Sequence, residues 1–151
     1  MSRRIVLSAV AGAAVLAGAG AFALAYAGDG APALAHSTAR YAAPQGARDG
    51  SFRFSTEVTA PSGLKSLKVL AWPEKSELAT KQPTAKEMSR AESARCESTG
   101  GADGTRCAYT VAVTAADAAS FPRGSWHVAV LATDEDGATT LDTEAVDFTV
   151  G

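Results

Sequence analysis

Cys96, Cys107, His36 and His127 are the only thiols and imidazoles in the chain. A redox or nucleophilic cysteine pair calls for C-x-x-C spacing and a nearby base; this pair has neither. Zinc needs ligands at short, regular spacings, and His36 and His127 offer none. An even pair of cysteines in an exported chain reads instead as a structural disulfide. Cys96–Cys107 would close a loop of about a dozen residues, worth about 3 kcal/mol in the chain-entropy picture.

Other chemistry is equally thin. A serine hydrolase needs a nucleophile, a base and an orienting group, and no Gly-x-Ser-x-Gly occurs. His127 is the one histidine inside a predicted element, and its parity puts it opposite Trp126, beside Ala129 and Leu131. That is a second-face strand position, so the chain is expected not to be an enzyme and to carry no cofactor. Asp134-Glu135-Asp136-Gly137 is an acidic turn where some sandwiches hold calcium, but with Gly137 as the loop glycine an EF-hand register would start at Ala132. A plain inter-strand turn is the expectation. Trp72-Pro73 is a candidate partner contact: Trp72 shares parity with Lys68, and an exposed Trp can anchor a partner. The competing reading packs it under a covered face. The Glu97–Arg106 loop could be presented to a protease, but Gly100, Gly101 and Gly104 leave it poorly preorganised.

The elements that must hold these residues read as short strands. Phe52, Phe54, Thr56 and Val58 alternate with Arg53, Ser55 and Glu57 over Ser51–Thr59, the period of two of a half-buried strand. Leu64–Trp72 follows the Pro61-Ser62-Gly63 turn, with Leu67, Val69 and Ala71 on one face and Lys68, Leu70 and Trp72 on the other. Residues 74–83 read as a polar loop. Thr84-x-x-Glu87 is a capping box for a short helix over about Ala85–Arg90. Strands near Ala91–Glu97 and Thr105–Val113 form a hairpin with Cys107, Tyr109, Val111 and Val113 inward. One helical turn starts near Thr114. Trp126, Val128, Val130 and Ala132 then share a strand face, and a last strand covers about Thr139–Val150 with a bulge near Glu144–Ala145.

The N-terminus sets the compartment. Arg3-Arg4 precedes an uncharged run from Ile5 to Ala27 ending in small residues, the layout of a signal peptide. Cleavage is expected between Ala27 and Gly28; an uncleaved membrane anchor is the alternative, because about 20 apolar residues span a bilayer. Residues 28–50 read as an Ala/Gly/Pro-rich leader, with an edge strand near Thr38–Ala43, and 51–151 as the domain. The whole chain has 14 basic and 16 acidic side chains; removing Arg3 and Arg4 with the signal leaves 12 against 16, a charge of −4. That balance argues against nucleic acid or an anionic membrane as partner. The absence of Asn, with Ile5 the single isoleucine, reflects GC-rich coding.

Six or seven short strands with frequent turns predict an all-β antiparallel sandwich with one or two helical turns, preceded by a signal helix. Phe121-Pro122-Arg123-Gly124-Ser125-Trp126, then Val128-x-Val130-x-Ala132-x-Asp134-x-x-Gly137, resembles the penultimate-strand motif of bacterial immunoglobulin-like and fibronectin-III-like modules. Trp126 stands where those modules usually have Tyr. The wider layout, with Lys68-Val69-Leu70-Ala71-Trp72-Pro73 and the two cysteines, is similar to an uncharacterised family of small exported actinobacterial proteins, a domain of unknown function. The resemblance implies a fold and a compartment only. The functional expectation is a secreted, non-catalytic module binding a protein or cell-envelope component. The alternative is a small inhibitor or ligand-binding module using the 73–83 or 97–106 loop.

Overall fold

The computed structural model describes residues 30–101 and 104–151. The signal segment expected over 1–27, with cleavage expected between Ala27 and Gly28, lies outside the described residues. Strands run β1 Ala33–Ala42, β2 Gly50–Thr59, β3 Leu64–Pro73, β4 Glu92–Ser93, β5 Arg95–Ser98, β6 Gly104–Val113, β7 Gly124–Asp134 and β8 Thr139–Val150. A 3₁₀ turn, Glu77–Ala79, and helix α1, Ala85–Met88, lie between β3 and β4, and α2, Ala115–Ser120, between β6 and β7.

The strands form two antiparallel sheets, ordered β1-β2-β6-β5 and β4-β3-β7-β8. In chain order this is the ABED sheet against the CFG sheet of immunoglobulin-type sandwiches, with a short extra strand beside the third. Phe52, Phe54, Val58, Leu67, Val69, Cys107, Val111, Val113, Val128, Val130 and Ala132 fill the space between the sheets. Their alternation along β2, β3, β6 and β7 follows from the two-residue pleat, which sends every second side chain inward.

Trp126 closes one end of this core. It is 2% exposed, its indole Nε1 donates to the Pro122 carbonyl at 2.9 Å, and its ring packs on Phe121 and Phe148. Immunoglobulin-type folds use a tyrosine hydroxyl in this way, tying the start of the sixth strand to the preceding corner. Here an indole N–H makes that bond. Both helices open with reciprocal capping boxes, Thr84 with Glu87 and Thr114 with Asp117. The backbone amide and hydroxyl of Thr84 both bond the Glu87 carboxylate, holding its pKa below the usual range.

Two sequence expectations are revised. The domain does not begin at residue 51: the edge strand expected near Thr38–Ala43 is a ten-residue β1 that reaches back to Ala33 and pairs with β2 from Ala33↔Thr59 to Ala42↔Ser51. Thr140 Oγ1 also donates to the carbonyl of buried Pro32, tying the entry of β1 to β8. Gly50 is required where the chain turns back between them, since a Cβ there would collide with the backbone of Ala42, Ala43 and Pro44. The single strand expected over Ala91–Glu97 is two strands in different sheets. β4 pairs with β3 and β5 with β6; between them the Ala94 amide donates to the Leu67 carbonyl as the chain crosses over. The bulge in β8 lies where expected, with 143–145 unpaired between Val128↔Val146 and Val130↔Asp142.

Cys96 and Cys107 are bonded and sit directly opposite each other on β5 and β6. Cys107 is fully buried while Cys96 is exposed, so the bond pins a four-residue edge strand to the core. Replacing both cysteines with serine is expected to cost about 3 kcal/mol, measured by denaturant titration, with β5 losing amide protection first.

Candidate binding surface

The two sheets present very different outer faces. On the β4-β3-β7-β8 sheet, Trp72, Ala129 and Leu131 form a second apolar cluster, joined by Leu70 and Leu141. The segment between β3 and β4 lies over it. Its capping box sets α1 so that Met88 reaches 0% exposure against this cluster, with Leu78 and Ala91 beside it. Gln82 fastens the segment to the β8 bulge: its Nε2 donates to Glu144 Oε1 at 2.9 Å, and its Oε1 accepts from Thr143 Oγ1 at 2.8 Å. Trp72 Nε1 donates to the Thr143 carbonyl at 3.1 Å.

Trp72 is therefore 1% exposed and Pro73 is buried. The partner-contact reading of Trp72-Pro73 is corrected: the indole is the floor of an internal cluster. The 73–83 loop is folded down by Pro83, Leu78 and Gln82. His127 lies on this face as its parity predicts. Its Nδ1 is 2.6 Å from Asp147 Oδ1, and its ring packs 4.5 Å from the Trp72 ring. A carboxylate-oriented imidazole is two-thirds of a hydrolytic triad, but among the described residues no hydroxyl or thiol hydrogen-bonds this ring.

Asp142 lies beside the bulge. Burial pushes its carboxyl above the usual range, the Glu144 backbone N–H opposes that, and the Glu144 charge adds to the rise. A raised folded-state pKa gives a stability contribution that is complete below the unfolded value and lost as pH rises through the folded one. Asp142→Asn retains an acceptor for the Glu144 amide at 3.0 Å. It should raise the melting midpoint at neutral pH, with the gain vanishing by about pH 3; thermal melts across pH check this.

The acidic turn is organised internally. Asp134 is 1% exposed, and its Oδ1 accepts the Ala138 amide at 2.7 Å. Among the described residues no group of three or more His, Cys, Asp or Glu is placed to hold a metal ion.

The outer face of the β1-β2-β6-β5 sheet has no such cover among the described residues. Register places its side chains in rows across the strands. One row is Arg40–Arg53–Thr110, the next Thr38–Ser55–Ala108–Arg95, and a third Glu57–Arg106–Glu97, with His36 at its end. Arg53, Arg106, Ala108, Thr110 and Ala112 are all exposed although they belong to the two central strands. Glu57 draws His36 Nδ1 to 2.9 Å and Arg106 Nη2 to 3.1 Å, which lowers its pKa, the His36 hydrogen bond contributing most. Glu57 thus favours folding above its unfolded pKa, and this is lost as pH falls through the lowered value.

His36 reaches Glu57 through a bulge. His36 and Ser37 face the single residue Thr56, and His36 takes φ 54°, the one non-glycine in the left-handed region among the described residues. Arg40 and Arg53 have no acidic partner within the described residues, and they sit directly opposite each other, an arrangement that costs stability. Four arginines against two glutamates make this face basic. By contrast the stretch from Asp134 to Gly151 has six acids and no Lys or Arg.

The sequence did not single out this face. Arg53, Ser55 and Glu57 share parity, as do Arg106, Ala108 and Thr110, but joining them needs the β2–β6 register.

Among the described residues no helix is long and apolar enough to cross a membrane, and the disulfide suits an oxidising compartment. No curated protein and no solved structure matches the chain. A family model does match, over residues 34–132, from β1 into β7. The chain belongs to the family of unknown function DUF5707.

Proposed function

We propose that this protein is a secreted, non-catalytic binding module that holds an acidic protein or cell-envelope component on the outer face of the β1-β2-β6-β5 sheet. The observation carrying this reading is the contrast between the two outer faces. One is sealed by its own loop around Trp72, while the other displays Arg40, Arg53, Arg95 and Arg106 over small residues. Uncompensated like charges are a stability cost that an anionic partner relieves. The signal-like N-terminus and the cystine support export. The loop-based alternative has less behind it, since residues 73–83 are folded down and the 97–106 loop carries Gly100, Gly101 and Gly104, which leave it poorly preorganised.

The test is capture by the immobilised protein from culture medium and envelope extract. Arg53→Glu should abolish capture of the specific partner, and Lys86→Glu on the covering helix should leave it intact. Capture insensitive to Arg53→Glu, or lost with Lys86→Glu, contradicts the reading.

A further inference from the structure

The cystine fixes more than stability. Its Cα atoms are 4.0 Å apart, close to the spacing of a non-hydrogen-bonded antiparallel pair and far from the wider hydrogen-bonded one. Cys107 therefore directs its N–H and C=O toward β2, and its neighbours Arg106 and Ala108 direct theirs toward β5. The β2–β6 register runs unbroken from Gly104 to Val113. The alternation consequently continues, and Thr110 and Ala112 aim their backbone groups at the β5 side as well.

β5 is not there to receive them. It pairs with β6 only from Thr105 to Ala108, because the chain enters it at Arg95 after crossing from the other sheet at Ala94. Past Ala108, the β5-side edge of β6 has no strand beside it among the described residues. A groove of about 480 Å³ runs along the end of β5 and onto this edge, lined by Ser93, Arg95, Glu97, Tyr109, Thr110 and Val111 among others. Unpaired edges of this kind are templates for an added strand.

We propose that the β6 edge at Tyr109–Val113 takes an extended peptide segment of a partner protein as a fifth strand, one whose outward side chains are acidic. Thr110 and Ala112 supply the main-chain ladder. Alternate residues of the guest point inward beside half-buried Tyr109 and buried Val111, both of which border the groove. The others point outward beside Thr110, within the field of Arg95 and Arg53. This rests on the binding-module reading and names the partner's form.

The probe is a blocked eight-residue peptide of alternating valine and aspartate, with a valine–lysine peptide as its counterpart. In ¹H–¹⁵N spectra of the protein, the acidic peptide should shift the Thr110 and Ala112 amides and slow their hydrogen exchange at least tenfold. The lysine peptide should do neither. Thr110→Pro removes only an edge-facing N–H, which strands tolerate at an edge, and should abolish the effect with the remaining spectrum native. Should that variant fail to fold, Arg95→Glu is the second arm and should weaken the acidic peptide at least fivefold.

The proposal is overturned if the acidic peptide leaves both amides unmoved at millimolar concentration, or if Thr110→Pro folds and binds as before. It is equally overturned if these amides are already protected in the free protein and lose protection on dilution, since a second copy is then the occupant. Partner capture that survives Thr110→Pro but not Arg53→Glu removes the edge and leaves the face reading intact.

Discussion

Replacing Trp72 with Ala is expected to destabilise the domain by about 3–5 kcal/mol. The indole is fully enclosed between β3, β7 and the covering segment, so its loss opens a cavity that Met88 and Leu131 cannot both fill. The Thr143 carbonyl also loses its donor. Trp72→Phe separates these effects by keeping most of the apolar volume and giving up the hydrogen bond, itself worth about 1 kcal/mol. Denaturant titration gives the totals. Limited tryptic digestion gives the location: cleavage after Lys75, Lys81 and Lys86 should accelerate in the alanine variant well before global unfolding.

Trp126→Ala is expected to cost a similar amount, about 3–5 kcal/mol, by a different route. This ring closes the end of the inter-sheet core against Phe121 and Phe148 and anchors the turn into β7 through Pro122. Its removal should loosen the α2–β7 connection while leaving the cluster around Trp72 in place. Trp126→Tyr, which can in principle offer a hydroxyl to the same corner, should recover more stability than Trp126→Phe. Equal losses for Tyr and Phe would mean that the bond to Pro122 contributes little and the ring's volume is what matters.

Face assignments were the legible part of this fold. The inward sets of β2 and β6 follow from alternation alone, because one hydrophobic face per strand leaves a single consistent parity; on β3 and β7, apolar on both faces, Lys68 and His127 mark the second face. The Thr84–Glu87 capping box, the helical turn after Thr114 and the β8 bulge were also readable, since each is set by residues a few positions apart. β1 was only partly visible: its alternation is interrupted by the His36–Ser37 bulge and diluted by alanines, which carry little parity signal. β4 and β5 looked like one strand because nothing local marks Ala94 as the point of crossing. Trp72 was ambiguous because its face is divided. Lys68 stands at the open end, bonded to Ser93 on β4 at 2.9 Å, and Trp72 stands four residues on, under the covering loop.

The basic sheet face proposed for binding was the least legible part. Arg40, Arg53, Arg95 and Arg106 come from four strands, and only strand order and register bring them together. Likewise, no local pattern tells where β5 stops covering β6. Both depend on pairings between residues far apart in the chain.

Arginine labelling of the protein with and without its captured partner, read residue by residue by mass spectrometry, tests the central claim most directly. If the bare sheet face is the binding surface, Arg53 and Arg106 should lose reactivity in the complex, while Arg90 and Arg123 keep theirs. Protection of Arg90 or Arg123 with Arg53 and Arg106 still reactive would contradict the account.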